Sequence, residues 1–403
     1  MAISGAVARS SALVEGSGRL LNLLRLEGAH TISTLAAEMG VSRSTVIQRL
    51  EVLAETGLVQ SEVVSDGARG RPASIARFNP RAGVALATQI GLSGCRLALS
   101  DLAGELVAED FIAVDFATGP AALLRDLTRR FDEMLGSLED ILPTVVGVGV
   151  GMPSAVELQG YARSLGISGL DWDRESFRNQ LGSYFKAPVF LDLDVNLLAM
   201  AEWRKSWPDV EVCVCVKLGT LIDAAIVING IPVRGATGLA GELGHIKVNG
   251  STALCSCGSQ GCLDAVASGD ALVRQFRADG VAVSHISDIV HLALAGDPDA
   301  VTAVRQAGRR IGEALSSVVN LLNPGVITTW GYLSDADSLL FAGIREGLYQ
   351  TALPGSSESL RLVKTSLGDV AGVRGAAMLV LDRVLSEAAI DRMLVEQSWL
   401  SAS

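Results

Sequence analysis

No apolar run among the 403 residues reaches the length of a membrane-spanning helix, because the longest candidate, Val212 to Ile228, is interrupted by Lys217 and Asp223. The opening stretch MAISGAVARSSALVEG has Arg9 but lacks an apolar core of signal-peptide length before Glu15. A cytoplasmic protein with no membrane partner is the expectation. Positive charge is also scarce: 33 Lys and Arg stand against 44 Asp and Glu, a net charge of −11, which argues against the whole molecule clinging to nucleic acid. Cysteine is limited to six residues. Three of them, Cys95, Cys213 and Cys215, sit in apolar strand-like runs, which fits free thiols in a reducing compartment better than a disulfide framework.

What the chain does have is apolar material, 49% of its residues with only 19% charged, and a length that suggests two or three domains. The charge is uneven. Residues 1–80 hold eight Arg and seven acidic residues, whereas the remainder holds 25 basic and 37 acidic ones. The first eighty residues are therefore read as a separate domain.

In that segment Leu20, Leu21, Leu23, Leu24 and Leu26 follow a helical spacing. A second helix capped by Thr31 or Ser33 turns Leu35, Ala36 and Met39 inward and stops at Gly40. The third, capped by Ser42, places Val46, Leu50 and Leu53 on one face and leaves Arg43, Ser44, Thr45, Gln48 and Arg49 outward. Two short helices with so tight a turn form a helix-turn-helix. An exposed polar face alone is compatible with simple solvation. The hairpin that follows, Leu58–Val64 and Ser74–Phe78 around the loop SDGARGRP, brings Arg69 and Arg71 to its tip, the composition of a wing that contacts phosphates or a narrow minor groove. Residues 1–80 are thus predicted to be a winged helix-turn-helix domain for double-stranded DNA.

After Asn79-Pro80-Arg81 the pattern changes to alternating strands and helices. Strands are predicted at Val84–Ile90, Arg96–Ser100, near Leu106, Val145–Gly151, Phe190–Leu193, Val212–Leu218 and Ala224–Ile228, with helices at Ala121–Leu138, Asn196–Trp203 and Ala300–Leu322. Such alternation indicates an α/β protein with mixed sheets in two lobes.

The densest chemistry lies in GELGHIKVNGSTALCSCGSQGCLDAVAS, from Gly241 to Ser268. His245, Cys255, Cys257 and Cys262 fall within eighteen residues, with Gly250, Gly258 and Gly261 allowing the backbone to bend between them. Sulfur and imidazole are the preferred donors of a tetrahedral structural zinc site, so Zn2+ is the expected cofactor; the alternative is four small core residues.

The Gly241-Glu242-Leu243-Gly244-His245 segment and the run Cys255-x-Cys257-Gly258-x-x-Gly261-Cys262-Leu263-Asp264 resemble the ROK family of repressors, open reading frames and kinases. The resemblance covers roughly residues 14–385 and extends to winged-helix repressors of sugar metabolism, such as the xylose and N-acetylglucosamine repressors. It implies a two-lobed actin-like, hexokinase-like ATPase fold over 81–403 with a sugar between the lobes. It further implies that Glu242, His245 and Asp264 face sugar hydroxyls, His245 being shared with the metal. Asp264 stands where the family usually has Glu. In the Asn-Asp-x-Asn segment of the family's kinases this chain has Leu193-Asp194-Val195-Asn196, keeping the catalytic-base Asp and losing the sugar-binding Asn. A hydroxyl left unpaired there would cost roughly 1–3 kcal/mol. Asp194 is read as a ligand contact, or as the cap of a helix opening at Leu197. The Met152-Pro153-Ser154 turn falls where the kinases line the sugar site.

Phosphoryl transfer depends on holding and neutralising a nucleotide. Three segments depart from what the family's kinases use: Gln89-Ile90-Gly91-Leu92-Ser93-Gly94 lacks the carboxylate and Lys of the first loop, Leu221 and Asp223 interrupt the second glycine loop, and Gly331-Tyr332 replaces a Gly-Gly. The expectation is a non-enzymatic regulator, a repressor of carbohydrate-related genes that senses a sugar or sugar derivative and works as a homodimer or homotetramer. The alternative is a sugar kinase with an added N-terminal domain. A phosphotransfer-system protein in place of a sugar is a third possibility, suggested by the apolar Leu193.

Overall fold

Side-chain caps decide where the first helices begin. In the computed structural model, which describes residues 14–64, 73–92, 94–113, 119–138, 144–153 and 174–398, helix α1 spans Ser17–Glu27, α2 Ile32–Met39 and α3 Arg43–Glu55. Thr31 accepts the Thr34 N–H and Ser42 the Thr45 N–H, each at 3.2 Å, while Gly40 ends α2 in the left-handed conformation at φ 66°. Strands β1 (His30–Thr31), β2 (Val59–Val64) and β3 (Ala73–Phe78) form a small antiparallel sheet in the order β1-β3-β2. Leu20, Leu24, Leu35, Val46, Leu50 and Leu53 are buried between helices and sheet, as the helical spacing predicts, whereas Leu26 is 78% exposed.

Two larger sheets follow, each of five strands. The first comprises β4 (Val84–Gly91), β5 (Gly94–Asp101), β6 (Leu106–Ile112), β7 (Val145–Met152) and β8 (Val189–Leu193), in the order β6-β5-β4-β7-β8. The second comprises β9 (Val212–Leu218), β10 (Ile222–Ile228), β11 (Ile231–Pro232), β12 (Val326–Trp330) and β13 (Arg361–Lys364), in the order β11-β10-β9-β12-β13. In both, the first three strands form an antiparallel meander and the next two add in parallel. This repeated topology is the two-lobed actin-like, hexokinase-like arrangement inferred from the sequence. Helices α4 (Pro120–Gly136) and α5 (Arg174–Phe185) cover the first sheet, and the second packs against α7 (Gly269–Ala278), α8 (Ile286–Leu294), α9 (Pro298–Leu322) and α10 (Ser338–Thr351).

Helix α6, Asp194–Ser206, and helix α11, Ala371–Val384, lie against each other between the lobes. Leu197 and Met200 of α6 pack with Ala87 and Ala98 of the first sheet, while Val195 and Leu198 pack with Cys213 and Cys215 of the second. Glu202, 1% exposed, ties this helix to the segment between β13 and α11: its carboxylate accepts the Thr365 hydroxyl at 2.6 Å and the Ser366 N–H at 3.1 Å. The last helix, α12 (Glu387–Glu396), leaves the lobes and packs on α1. One apolar cluster consequently joins Leu20, Leu24 and Leu53 of the winged domain to Val384, Ile390 and Met393.

Two sequence expectations are corrected here. Helix α6 begins at Asp194 rather than Leu197, and Asp194 is not its cap. The local acceptor is Asp192, whose Oδ1 takes the Leu193 N–H at 2.8 Å and the Asn196 side-chain N–H at 2.9 Å. Leu193 is 5% exposed and packs with Val195, Leu198 and Cys213, so its apolar branch completes a core and does not line the cleft.

Candidate functional site

His245 lies in a 3-10 turn, Leu243–His245, and the three cysteines in the knuckle that follows. The knuckle is closed by the Cys255 N–H to Ser259 carbonyl bond at 2.8 Å and the Gly258 N–H to Cys255 carbonyl bond at 3.0 Å. A Cβ on Gly261 would lie 2.6 Å from the Ser251 carbonyl oxygen, so that position requires glycine. The four donor atoms, one each from His245, Cys255, Cys257 and Cys262, lie within 4.8 Å of one another. Cys255 Sγ is 3.9 Å from His245 Nδ1, and Cys257 Sγ is 3.8 Å from Cys262 Sγ. A zinc tetrahedron with bonds of about 2.3 Å has edges of about 3.8 Å, so the donor set fits that ion. His245 Nε2 points the other way, 3.5 Å from Glu242, as a metal-bound imidazole held by a carboxylate would. Lys247 donates to Cys262 Sγ at 3.1 Å, partly offsetting the negative charge that three thiolates bring. Burial pushes the Cys255 thiol up to about 12, so binding a cation there must displace a proton.

Beside this knuckle Glu242, Asp223 and Asp264 converge. Burial, and then the charges of Asp223 and Asp264, raise the Glu242 carboxyl to about 7. It can therefore both donate and accept near neutral pH. Asp264 is 5% exposed, and its Oδ1 accepts the Ile222 N–H at 2.7 Å. The shorter acidic side chain spends at least one oxygen on the start of β10.

Asp194 is completely buried and forms an ion pair with Lys217, a residue the site assignment from sequence passed over. The signal was present as the one charge in the apolar strand VCVCVKL. Lys217 also sits directly across the sheet from Asp223. Burial opposes its ammonium, but Asp194 and Asp223 outweigh burial and hold it above the ordinary lysine value. Among the described residues Asp194 Oδ1 has no hydrogen-bond partner. The cavity next to this pair, bounded by Leu92, Leu221 and Tyr332, measures about 50 Å3. That is room for a water or two.

A larger cavity of about 420 Å3 adjoins it, with Trp330, Arg96 and Lys364 in its wall. Arg96 pairs with Asp369 at 3.0 Å and Lys364 with Asp335 at 2.6 Å. Tyr332, where a second glycine was expected for a nucleotide, stands edge-on to His285 with ring centres 4.6 Å apart. Met152 and Pro153 are buried at the end of β7, and Ser154 lies outside the described residues.

On the winged domain Arg43, Ser44 and Gln48 are exposed along α3, joined by Ile47 at 41% exposure, which sequence reasoning missed. Thr45 is half-buried, and its hydroxyl and that of Ser44 contact Ser42 Oγ at 2.8 and 2.7 Å, so both take part in the cap. Arg49 is half-buried, its guanidinium lying beside Gly16 ahead of α1. Arg69 and Arg71 lie outside the described residues.

Comparison with known proteins supports the same division. The profile described as "ROK family" matches residues 85–383, and one described as "Bacterial regulatory protein, arsR family" matches 19–61, which contain all three helices except the first two residues of α1. A putative xylose repressor of Caldicellulosiruptor sp. (strain Rt8B.4) is 26% identical over 391 residues, covering 93% of this chain and 98% of the relative. A glucokinase of Thermotoga maritima is 28% identical over 277 residues, covering 64% of this chain and 86% of the enzyme. Among solved structures, a ROK family transcriptional regulator described as a homologue of the E. coli Mlc protein superposes with a TM-score of 0.76 at 25% identity, covering 96% of this chain and all of that one. A ROK glucokinase from Streptomyces griseus, solved with glucose and AMPPNP, gives 0.62 at 25% identity over 74% of this chain and 99% of its own. The duplicated five-stranded sheets, the His-Cys knuckle beside the cleft and a family match over most of its length place this chain in the ROK family.

Proposed function

We propose that this chain is a sugar-responsive, DNA-binding transcriptional repressor without kinase activity. The observation that carries the reading is the buried Lys217–Asp194 pair. A kinase base must be free to take a hydroxyl proton, whereas Asp194 is neutralised by Lys217 beside a space of about 50 Å3. An added helix-turn-helix domain and a relative named as a xylose repressor over nearly its full length support the regulatory role.

In this reading the exposed face of α3, with Arg43, Ser44 and Gln48 and the neighbouring Thr45 and Arg49, meets an operator, with Arg69 and Arg71 on the wing. Glu242 and His245 present polar groups to a sugar; Asp194, buried and paired with Lys217, and Asp264, bonded to Ile222, shape the cleft more than they contact the ligand. Zinc on His245, Cys255, Cys257 and Cys262 supplies no chemistry and fixes the loop that carries Glu242. A sugar acts by binding one lobe arrangement better than another, and a homodimer or homotetramer in the cytoplasm presents two winged domains to a two-fold operator.

Two assays on the same preparation test this. The chain should select a duplex from a random-sequence pool and change its affinity for that duplex when D-xylose, D-glucose or another neutral monosaccharide is added, and a coupled assay with ATP and hexoses should show no turnover. Hexose phosphorylation abolished by Asp194→Asn would overturn the non-catalytic reading in favour of a ROK kinase with an added domain, the alternative that the glucokinase relatives keep open.

A further inference from the structure

Helix α1 has no cap of its own. The residue before it, Gly16, carries no side chain, and the backbone donors at its start are taken by a residue from the far end of the chain. The Asp391 carboxylate accepts the Gly16 N–H at 2.9 Å and the Gly18 N–H at 2.8 Å. A carboxylate at a helix N-terminus meets both the unsatisfied donors and the positive end of the helix dipole. The approach is close: a Cβ on Gly18 would lie 2.2 Å from the Glu387 carbonyl oxygen. Val14, Leu20, Leu21 and Leu24 share an apolar cluster with Ala389, Ile390, Met393 and Leu394. The core of the winged domain is thus completed by α12, which lies beyond the residues matched by the ROK profile.

Helix α12 follows α11 after two residues, and α11 is pressed against α6. A Cβ on Gly375 of α11 would lie 2.0 Å from the Leu197 carbonyl oxygen of α6, so the two backbones touch. Helix α6 in turn begins with Asp194 on the cleft floor. The winged domain has further attachments: Val380, Leu381 and Val384 of α11 share its apolar cluster, Arg25 of α1 faces Asp382 of α11 and Arg204 of α6, and Asn79 and Pro80 bond to Gly57 at 2.9 Å and Leu102 at 3.0 Å. Packed backbones without side chains between them cannot absorb a shift locally, so displacement of α6 must move α11.

We propose that α12 is the regulatory contact of the DNA-binding domain: the state of the cleft passes from α6 through the Gly375–Leu197 contact into α11, and from α12 to α1 through the Asp391 clamp. The regulatory meaning rests on the repressor reading above; the mechanical coupling does not.

Hydrogen exchange on the full chain tests the coupling without any operator or sugar. Asp391→Ala should speed exchange of the α1 amides from Leu20 to Leu24 by roughly fivefold, the loss expected for a helix cap, and leave the first-sheet amides unchanged. Gly375→Ala should also disturb α1 exchange, but only while Asp391 is present, so that the double variant exchanges like Asp391→Ala alone. Effects that multiply to within about twofold would mean independent sites and overturn the relay. If Gly375→Ala does not fold, Leu197→Val, which loosens the packing of α6 beside that contact, takes its place, and Asp391→Asn, which keeps one acceptor oxygen, should fall between wild type and Asp391→Ala. Failure to select any duplex would count against the repressor reading and leave this exchange result standing on its own.

Discussion

Lys217 on β9 and Asp194 at the start of α6 form an ion pair in which the carboxylate is wholly buried and the lysine side chain only 15% exposed. Removing one member of a buried pair leaves a charge in the interior, a change that costs about 3–5 kcal/mol, whereas replacing both by apolar residues is close to neutral. Lys217→Met, which strands the buried Asp194 carboxylate, should therefore lower the thermal midpoint far more than the double change Asp194→Leu with Lys217→Met, the loss of Lys217 from beside Asp223 being common to both. Equal losses in the two would show that the pair does not act as a unit.

The same pair sets a pH dependence. Asp194 and Asp223 raise Lys217 above its ordinary value of 10.5 in the folded chain. A group with a raised folded value stabilises fully below its unfolded value and loses that contribution as pH rises through the folded one. The Lys217 contribution to stability should stay constant through neutral pH and be lost only in the alkaline range, and this alkaline component of a denaturant titration should be missing in the double variant.

The His-Cys knuckle predicts about one zinc per chain after purification without added metal. Cys257→Ser should lower both metal content and thermal midpoint, and a strong chelator should do the same to the wild type. Because the Cys255 proton must leave for a metal to bind, zinc should be released as pH falls. Full metal content in Cys257→Ser, measured by elemental analysis, would refute the ligand set.

Glu202 predicts a stability effect far from either site. Its buried carboxylate accepts from Thr365, Ser366 and, at 3.4 Å, the Leu367 N–H. Glu202→Ala removes a charged acceptor from half-buried donors and should cost about 2 kcal/mol. A loss below about 0.5 kcal/mol in chemical denaturation, the size of an ordinary surface change, would mean that the segment finds other partners.

On the winged domain, Arg43 and Gln48 should separate two kinds of DNA contact. Arg43→Ala should weaken binding to all duplexes and reduce the salt slope by about 1, and Gln48→Ala should cost roughly 1–3 kcal/mol on the selected sequence only. Arg49 leans on Gly16, so Arg49→Ala should change the salt slope less than Arg43→Ala does. Anisotropy titrations at several salt concentrations distinguish these outcomes.

Local chemistry was legible in the sequence because it depends on near neighbours. Thr31 and Ser42 are helix caps, Gly40 ends α2, and Val212–Leu218 is a strand with the predicted bounds. His245, Cys255, Cys257 and Cys262 meet because eighteen residues with well-placed glycines have little other way to fold around one point. Which side of an element faces the cleft was not legible. Leu193 enters the core, Asp264 bonds to Ile222, and Asp194 pairs with Lys217 instead of capping its helix, since each outcome depends on strands distant in sequence.

By itself the sequence determined a winged domain, an α/β body and the His-Cys knuckle, all of which are properties of short segments. Only the tertiary structure decided that Lys217 faces Asp194, 23 residues away, and that Asp391 closes a helix 373 residues before it. A charge in an apolar strand and an acidic residue in a late helix carry no mark of their partners. Their roles are set by the sheet register and by which helix the last segment packs against, and those follow from burying the apolar faces of the whole chain together.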